Sequence, residues 1–377
     1  MALEIREHRP GKDLDAFVEA GHIVFRGDPA WVPPLEMDIR DRLTPGKNPF
    51  FEHGEAALFT AWRDGKLVGR CSASIDHEHL RLHKDQTGFF GFFDTVDDHG
   101  AATALVAHAK RWLAARGMKR IRGPISLNIN EEVGVLIEGF EHPPFLMMAH
   151  SRPYQSALLE KAGLAKCKDL FAWRFYAGEL PPRALRAWEQ VKAMPEVRIR
   201  SVNKADMANE LAIIMEIFND AWSENWGFVP ATPNEVKKAA ADMKLILDEE
   251  LAFIAEIDGR PMGMCICLPN VNEVIADLGG KLFPLGLLKM LWRVKVKGPK
   301  TARLMLLGLR SELRGVKKYG ALSTAMYAEI AKRGTAKGYK WGELSWTLED
   351  NHPVNLGIRA MGAQVYKKYR VYEGALP

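Results

Sequence analysis

ALFTAWRDGKLVGRCSAS, residues 57–74, and LAFIAEIDGRPMGMCICL, residues 251–268, are two copies of one pattern. In a common register Phe59, Ala61, Asp64, Gly65, Gly69 and Cys71 recur as Phe253, Ala255, Asp258, Gly259, Gly263 and Cys265, at an offset of 194. The same offset carries Leu3-Glu4-Ile5-Arg6 onto Val197-Arg198-Ile199-Arg200. One offset shared by separate segments predicts an internal duplication. Each copy is apolar, then Asp-Gly-Lys/Arg, then apolar, which predicts a β-hairpin closed by an Asp-Gly turn.

Working outward, each half opens with a strand and continues through helical pattern, over 13–26 in the first and over 205–222 and 234–249 in the second. A further apolar strand follows the hairpin, Gly88–Val96 and Ala302–Arg310. It leads into an amphipathic helix, over 101–116 (Leu105, Ala109, Trp112 and Leu113 on one stripe) and over 320–334. A strand, a helix and a closing strand finish each half. The boundary is Gly178-Glu179-Leu180-Pro181-Pro182, followed by one polar helix up to about Pro195.

Composition bounds the rest. The chain has 377 residues, 47% hydrophobic and 26% charged, enough for two domains and far from a disordered or disulfide-stapled class. No apolar run reaches the ~18 residues a membrane helix needs. The start, MALEIREHRPGKD, has no basic-then-apolar signal pattern, so a cytoplasmic protein is expected. Four cysteines, Cys71, Cys167, Cys265 and Cys267, contain no CxxC pair and are expected as reduced thiols. The net charge of +5 is mild, so its distribution matters more than its total.

The order strand, helices, antiparallel strands, helix, strand, helix, strand resembles the GNAT acyltransferase fold, here as a tandem pair of α/β (α+β) domains with mixed, mostly antiparallel sheets. The expected organisation is residues 1–178 as a degenerate copy serving structure or the acceptor, 179–196 as a linker helix, and 197–377 as the acyl-CoA-binding catalytic domain. In GNAT proteins the fourth strand splays from its neighbour and the next loop opens a helix whose amides hold the pyrophosphate of coenzyme A. In the second half that region reads RLMLLGLRSELRGVKKYGALSTAMYAEI. Gly308 within the strand suits a bulge or a close ligand approach, with Leu307 and Leu309 beside it. Arg314-Gly315 matches the start of the family loop, and Val316, Lys317, Lys318, Gly320 and Ala321 complete it. Lys317 and Tyr319 stand where the family usually has glycines, so lysine charge would replace part of the backbone cradle. Otherwise the segment is a solvated basic loop. The resemblance also assigns Asn351, eleven residues before Gly362, to the pantetheine amides. The family's thiolate-protonating Tyr is replaced by Ile358, which leaves Tyr366 or Tyr369 as stand-ins. The first half has Asp94, Asp97 and Asp98 at the corresponding helix start, good caps and poor phosphate partners.

For catalysis, period-two alternation would place Glu343, Ser345, Thr347 and Glu349 on one face of a strand beside the cofactor. Glu343 and Glu349 are the candidate bases and Ser345 a relay. For the second substrate, the insertion at 123–164 offers Asn130 and Glu132, with Met147, Met148 and Phe145 as an adaptable apolar lining. Lys281–Arg303 holds seven Lys or Arg and no acid, with Leu287, Leu288, Leu291 and Trp292 as an apolar face. It predicts contact with an anionic membrane or the mouth of a lipid site, and Leu287, Trp292 and Trp346 are candidate substrate contacts. The run Asp76-His77-Glu78-His79-Leu80-Arg81-Leu82-His83 is dense in ligand types, but Arg81 holds the place of the second His of HExxH, so no metal is expected. The charge lacks interleaved aromatics, so no nucleic-acid partner is expected.

Asn48-Pro49-Phe50-Phe51, Gly88-Phe89-Phe90-Gly91-Phe92-Phe93, Gly123-Pro124, Gly139-Phe140 with Pro143-Pro144, and Gly342-Glu343-Leu344-Ser345-Trp346 look like a bacterial group of tandem GNAT-like proteins that includes ceramide synthases. That resemblance covers nearly the whole chain. It implies acyl-CoA-dependent N-acylation of a long-chain sphingoid amine by direct attack on the thioester, at the cytoplasmic face of the membrane. The rival readings are a GNAT acetyltransferase of a small or peptidic amine, and a non-catalytic lipid-binding relic.

Overall fold

A computed structural model describes residues 2–376 except 244 and 245, and the side chains of Met243 and Lys295 also lie outside the described residues. The chain divides into two compact units. The first is Met1–Leu170 with Ile275–Lys289 and Lys367–Pro377, and the second is Phe171–Val274 with Met290–Tyr366. Each unit thus draws on segments from beyond a simple cut near residue 178.

The first half runs β1 (Leu3–His8), α1 (Asp15–Val24), α2 (Glu36–Arg42), β2 (Gly54–Arg63), β3 (Lys66–Asp76), α3 (His77–His83), β4 (Thr87–Thr95), α4 (His99–Ala114), β5 (Arg120–Gly123), β6 (Val135–Glu138), α5 (Gln155–Lys161) and β7 (Ala165–Tyr176). The connecting helix is α6 (Pro182–Lys192). The second half runs β8 (Val197–Ser201), α7 (Met207–Trp222), α8 (Pro233–Met243), β9 (Ala252–Ile257), β10 (Arg260–Pro269), α9 (Asn272–Ile275), α10 (Gly286–Trp292), β11 (Thr301–Leu309), α11 (Leu322–Ala336), β12 (Trp341–Leu348), α12 (His352–Ala360) and β13 (Gln364–Ala375). The helix expected over 234–249 starts at Pro233 and is described to Met243; its expected continuation at 244–245 lies outside the described residues.

The repeated hairpins form as the sequence predicts. Asp64-Gly65 and Asp258-Gly259 take positive φ at both residues, 48° and 75° in one turn and 51° and 76° in the other. That backbone matches the right-handed twist of paired strands, and Asp-Gly tolerates it. β1 pairs antiparallel with β2, and β8 with β9. Even the slip in register recurs: Val68 is the extra residue in β3 and Met262 in β10, again 194 apart.

In the first unit the sheet order is β1-β2-β3-β4-β5 followed by β13, whose Tyr372–Ala375 pair antiparallel with β5. α4 seals it, laying Ala101, Leu105, Ala109 and Leu113 on Phe59, Ala61, Cys71 and Ala73. In the second unit the order is β8-β9-β10-β11-β12. Here Leu322, Ala325, Met326 and Ile330 of α11 pack on Phe253, Ala255, Cys265 and Cys267. The duplicated Cys71 and Cys265 are buried in the two cores, and desolvation pushes both thiols up, as expected for inert apolar packing. Within the units, β4 pairs parallel with β5 and β11 with β12, while β1–β2, β2–β3, β3–β4, β8–β9, β9–β10 and β10–β11 are antiparallel.

Candidate active site

Both parallel pairs are short, and both part company. β11 and β12 pair only from Thr301–Trp341 to Leu304–Leu344. β4 and β5 pair only from Thr87–Arg120 to Phe89–Arg122. Beyond those rungs the two copies differ.

In the first unit the opening is filled by the chain itself. The Ile125 amide donates to the Phe90 carbonyl at 2.7 Å, and the Ser74 hydroxyl donates to the Leu127 carbonyl at 3.0 Å. Ile125, Ser126, Leu127 and Asn128 are all buried. A Cβ on Gly91 would lie 2.2 Å from the Ile125 carbonyl oxygen, so glycine is required for the plug to seat. Arg42 clamps its outer side, reaching Glu131 and Glu132 at 2.8 Å each. Burial opposes the Arg42 charge, but these carboxylates more than reverse that and hold its pKa up. Asn130 and Glu132, expected to meet substrate, therefore belong to this plug: Glu132 pairs with Arg42, and the Asn130 amide donates to Asn128 Oδ1 at 3.0 Å.

In the second unit Met305–Leu309 are half-buried, and the paired register with β12 ends at Leu304–Leu344. The bulge falls at Met305, where the pairing with β10 slips between Ile266 and Cys267. Gly308, expected to make it, has another cause: a Cβ there would sit 2.4 Å from the Trp222 ring of α7. The glycine admits a helix rather than a bulge.

The helix starts sharpen the contrast. Asp98 caps α4 by accepting from the Ala101 amide at 3.0 Å and is itself bound by Arg63 at 2.8 Å. α11 follows Ala321, which gives it no side-chain cap. Its first amides and the exposed Lys317 beside them suit a phosphate. Arg314 is held by Glu224 at 2.6 Å and Lys318 by Glu196 at 2.8 Å. These pairs are exposed enough to exchange a carboxylate for a phosphate at small cost. Gly315, with φ of 79°, turns the loop between them.

At the foot of the open splay lies a buried polar chain. Glu343, fully buried, accepts from the Ser345 hydroxyl at 2.5 Å and from the Tyr366 hydroxyl. Arg303, directly across the ladder from Glu343, donates to Ser345 Oγ at 2.9 Å and to the Ser345 carbonyl at 3.1 Å. Arg174 lies 4.3 Å over the Tyr366 ring and 4.7 Å over Trp341. A buried carboxylate that carries hydroxyl donors, with a guanidinium one residue away, can accept a proton and pass one on.

Glu343 and Ser345 are thus brought together, and Glu349 is not. β12 ends at Leu348, and Glu349 sits in the turn before α12. The alternation lapses earlier: Thr347 donates to Asn355 Oδ1 at 2.7 Å and accepts from the Trp173 indole at 2.9 Å, a polar trio against α12. Asn351 caps α12, accepting from the Val354 amide, so its oxygen is engaged locally. Ile358 is core, and Tyr369 is fully buried in the first unit, which leaves Tyr366 as the tyrosine at the site. Arg303, counted from sequence among surface cations, is buried in this network, and Arg293 donates to the Val274 carbonyl at 2.7 Å. Leu287 is half-buried, whereas Phe283, Leu285, Leu288, Trp292 and Val296 are exposed. Trp346 is half-buried beside Ser345 in sequence. Arg174 was not legible as a site residue, because nothing in its neighbourhood marks it.

The Acetyltransferase (GNAT) family matches residues 28–131. The chain is 41% identical over 367 residues to the bacterial ceramide synthase of Caulobacter vibrioides, covering 97% of this chain and 95% of that protein. It is 39% identical over 363 residues to protein YghO of Escherichia coli, covering 96% and 92%. The chain belongs to the GNAT acyltransferase family. It is an N-acyltransferase of the tandem type. In fold it also matches a tandem GNAT protein from the clavulanic acid biosynthesis pathway over 100% of this chain and 99% of that one, with a TM-score of 0.58 at 13% identity. GNAT enzymes take an acyl-CoA as co-substrate. The family match falls on the first copy, which keeps the fold and fills the cleft. Among the described residues no cluster of His, Cys, Asp and Glu is arranged for a metal, and no helix is long and apolar enough to cross a membrane.

Proposed function

We propose that the protein joins the acyl group of an acyl-CoA to the amine of a long-chain sphingoid base, as the Caulobacter relative's name implies for that protein. The observation that carries this reading is the contrast between a filled splay in residues 1–178 and an open one, with a buried carboxylate at its foot, in 197–377. The first copy then serves as scaffold, 179–196 as linker, and the second copy as the catalytic domain. Leu307, Gly308 and Leu309 flank the pantetheine arm, and Arg314, Gly315, Val316, Lys317, Lys318, Gly320 and Ala321 hold the phosphates. Asn351 contributes through its helix start rather than its side chain.

The amine arrives as an ammonium with a pKa of about 10, so a base must remove a proton before attack. Glu343 takes it, directly or through the Tyr366 hydroxyl, and Ser345 and Arg303 hold the carboxylate in place. The N–C bond forms as the C–S bond breaks; the thiolate takes the proton that Glu343 received, relayed through Tyr366, and the amide nitrogen releases its remaining extra proton to solvent. Phe283, Leu285 and Leu288, with Lys281 and Lys289 among them, fit contact with an anionic membrane from which a lipid amine could be drawn.

The test is thiol release from acyl-CoA with 3-oxosphinganine, set against a soluble amine. Long-chain acyl-CoA with the sphingoid base is expected to be preferred. Preference for acetyl-CoA and a soluble amine would remove the lipid reading, and no CoA binding would leave a relic.

A further inference from the structure

The second unit contains a cavity of about 70 Å³ between α11 and the sheet. Holding one water takes only about 10–15 Å³, and native cores carry few larger voids. Leu304 and Leu344, the last rung before the strands part, form one wall, with Ala302 and Gly342 two residues below. Ala331 and Gly334 of α11 face them. A Cβ placed on Gly334 would meet nothing within 4 Å, so the space is kept by small residues. Its polar groups are few. Burial pushes the hydroxyls of Tyr327 and Tyr339 up, so neither brings charge. A cavity lined this way favours hydrocarbon over water.

Its position gives it a ligand. Along β11, in order, come the loop at 314–321, the splay at 305–309, the rung at Leu304 and the cavity wall at Ala302. A strand rises about 3.3 Å per residue, so the splay spans on the order of 16 Å. Phosphates at the loop and a thioester in the splay would aim the acyl tail past Leu304 and Leu344. We infer that this cavity receives the distal end of the acyl chain and sets its length, an inference that rests on acyl-CoA binding to the second copy.

The experiment is a profile of kcat/KM from acetyl-CoA to stearoyl-CoA with one amine acceptor, in the wild type and in Gly334→Leu and Ala331→Leu. Each variant is checked for folding by its thermal transition and for binding of CoA itself. Filling the cavity is expected to lower kcat/KM for the preferred chain by about tenfold or more, to shift the optimum to shorter chains, and to leave CoA affinity unchanged. A chain-length profile that is unchanged in the two folded variants overturns the inference while leaving the acyltransferase reading intact. A wild type that neither binds CoA nor turns over any acyl-CoA removes both.

Discussion

The two copies started from one pattern and solved the same opening in opposite ways. Both part their parallel strands after a few rungs, and both slip by one residue at the same place in the hairpin. In the first, residues 124–134 fold into the gap and Asp98 closes the next helix. In the second, the gap stays open, the helix is uncapped, and a carboxylate, two hydroxyls and a guanidinium meet at its foot. On the proposed function the duplicated domain separates two tasks: one copy invests its free backbone groups in its own stability, and the other leaves them for the acyl-CoA.

The sharpest break in that comparison is Glu343→Gln. It should lower kcat by about a hundredfold or more, the usual contribution of a general base, with CoA binding retained. Tyr366→Phe should act in the same direction by a smaller factor. Turnover unchanged in Glu343→Gln eliminates this residue as the base.

Next come the glycines. Gly91→Ala pushes a Cβ against backbone and should cost at least the ~1–3 kcal/mol of an overpacked core, read in denaturant unfolding. Gly308→Ala meets side-chain atoms of Trp222 and Ala221 rather than backbone and should cost less. If Gly308→Ala proves the more damaging, the assignment of that glycine to helix packing is wrong.

The helix starts give a reciprocal pair. Asp98→Ala should lose about 1 kcal/mol of stability, a few degrees in Tm, and leave the KM for acyl-CoA unchanged. Lys317→Ala with Lys318→Ala should raise that KM several-fold, more strongly at low salt, and leave Tm nearly unchanged. Titration calorimetry with CoA and thermal scans separate the two; the opposite pattern would place the phosphates on the first copy.

The smallest effect expected is on pH dependence. In the first unit the His150 ring lies against Asp28 at 3.1 Å, with Arg152 on the same carboxylate. Burial depresses the His150 pKa below its ordinary 6.5, and the Asp28 contact only partly offsets this. The unfolded chain therefore binds the proton more readily, and the stability this residue provides is present above pH 6.5 and lost as the pH falls below it. His79 is depressed in the same way. Tm should fall as pH drops from 7 toward 5, and His150→Gln should flatten that fall.

Much of this was legible in residues. The Asp-Gly turns, the stripe at Leu105, Ala109 and Leu113, and the acids at the start of α4 are local signals, and local signals survive folding because they depend on backbone geometry and spacing. Other assignments failed where the deciding partner was distant. The bulge that was one of the two readings of Gly308 falls at Met305 instead, and Trp222, far back in the chain, is invisible from the neighbours of that glycine. Glu349 was paired with Glu343 by strand periodicity, which lapses once Thr347 finds Asn355 and Trp173. Arg303 looked like one more surface cation until its rung on the ladder set it beside Glu343 and Ser345.

Period, turn chemistry and a repeat distance were enough to establish a duplicated α/β fold, since these follow from which side chains a backbone can hold. Which opening remains vacant, and which acid lies at its foot, depended on contacts between residues scores of positions apart. Such contacts are chosen by the packing of whole elements, and only the folded chain displays them.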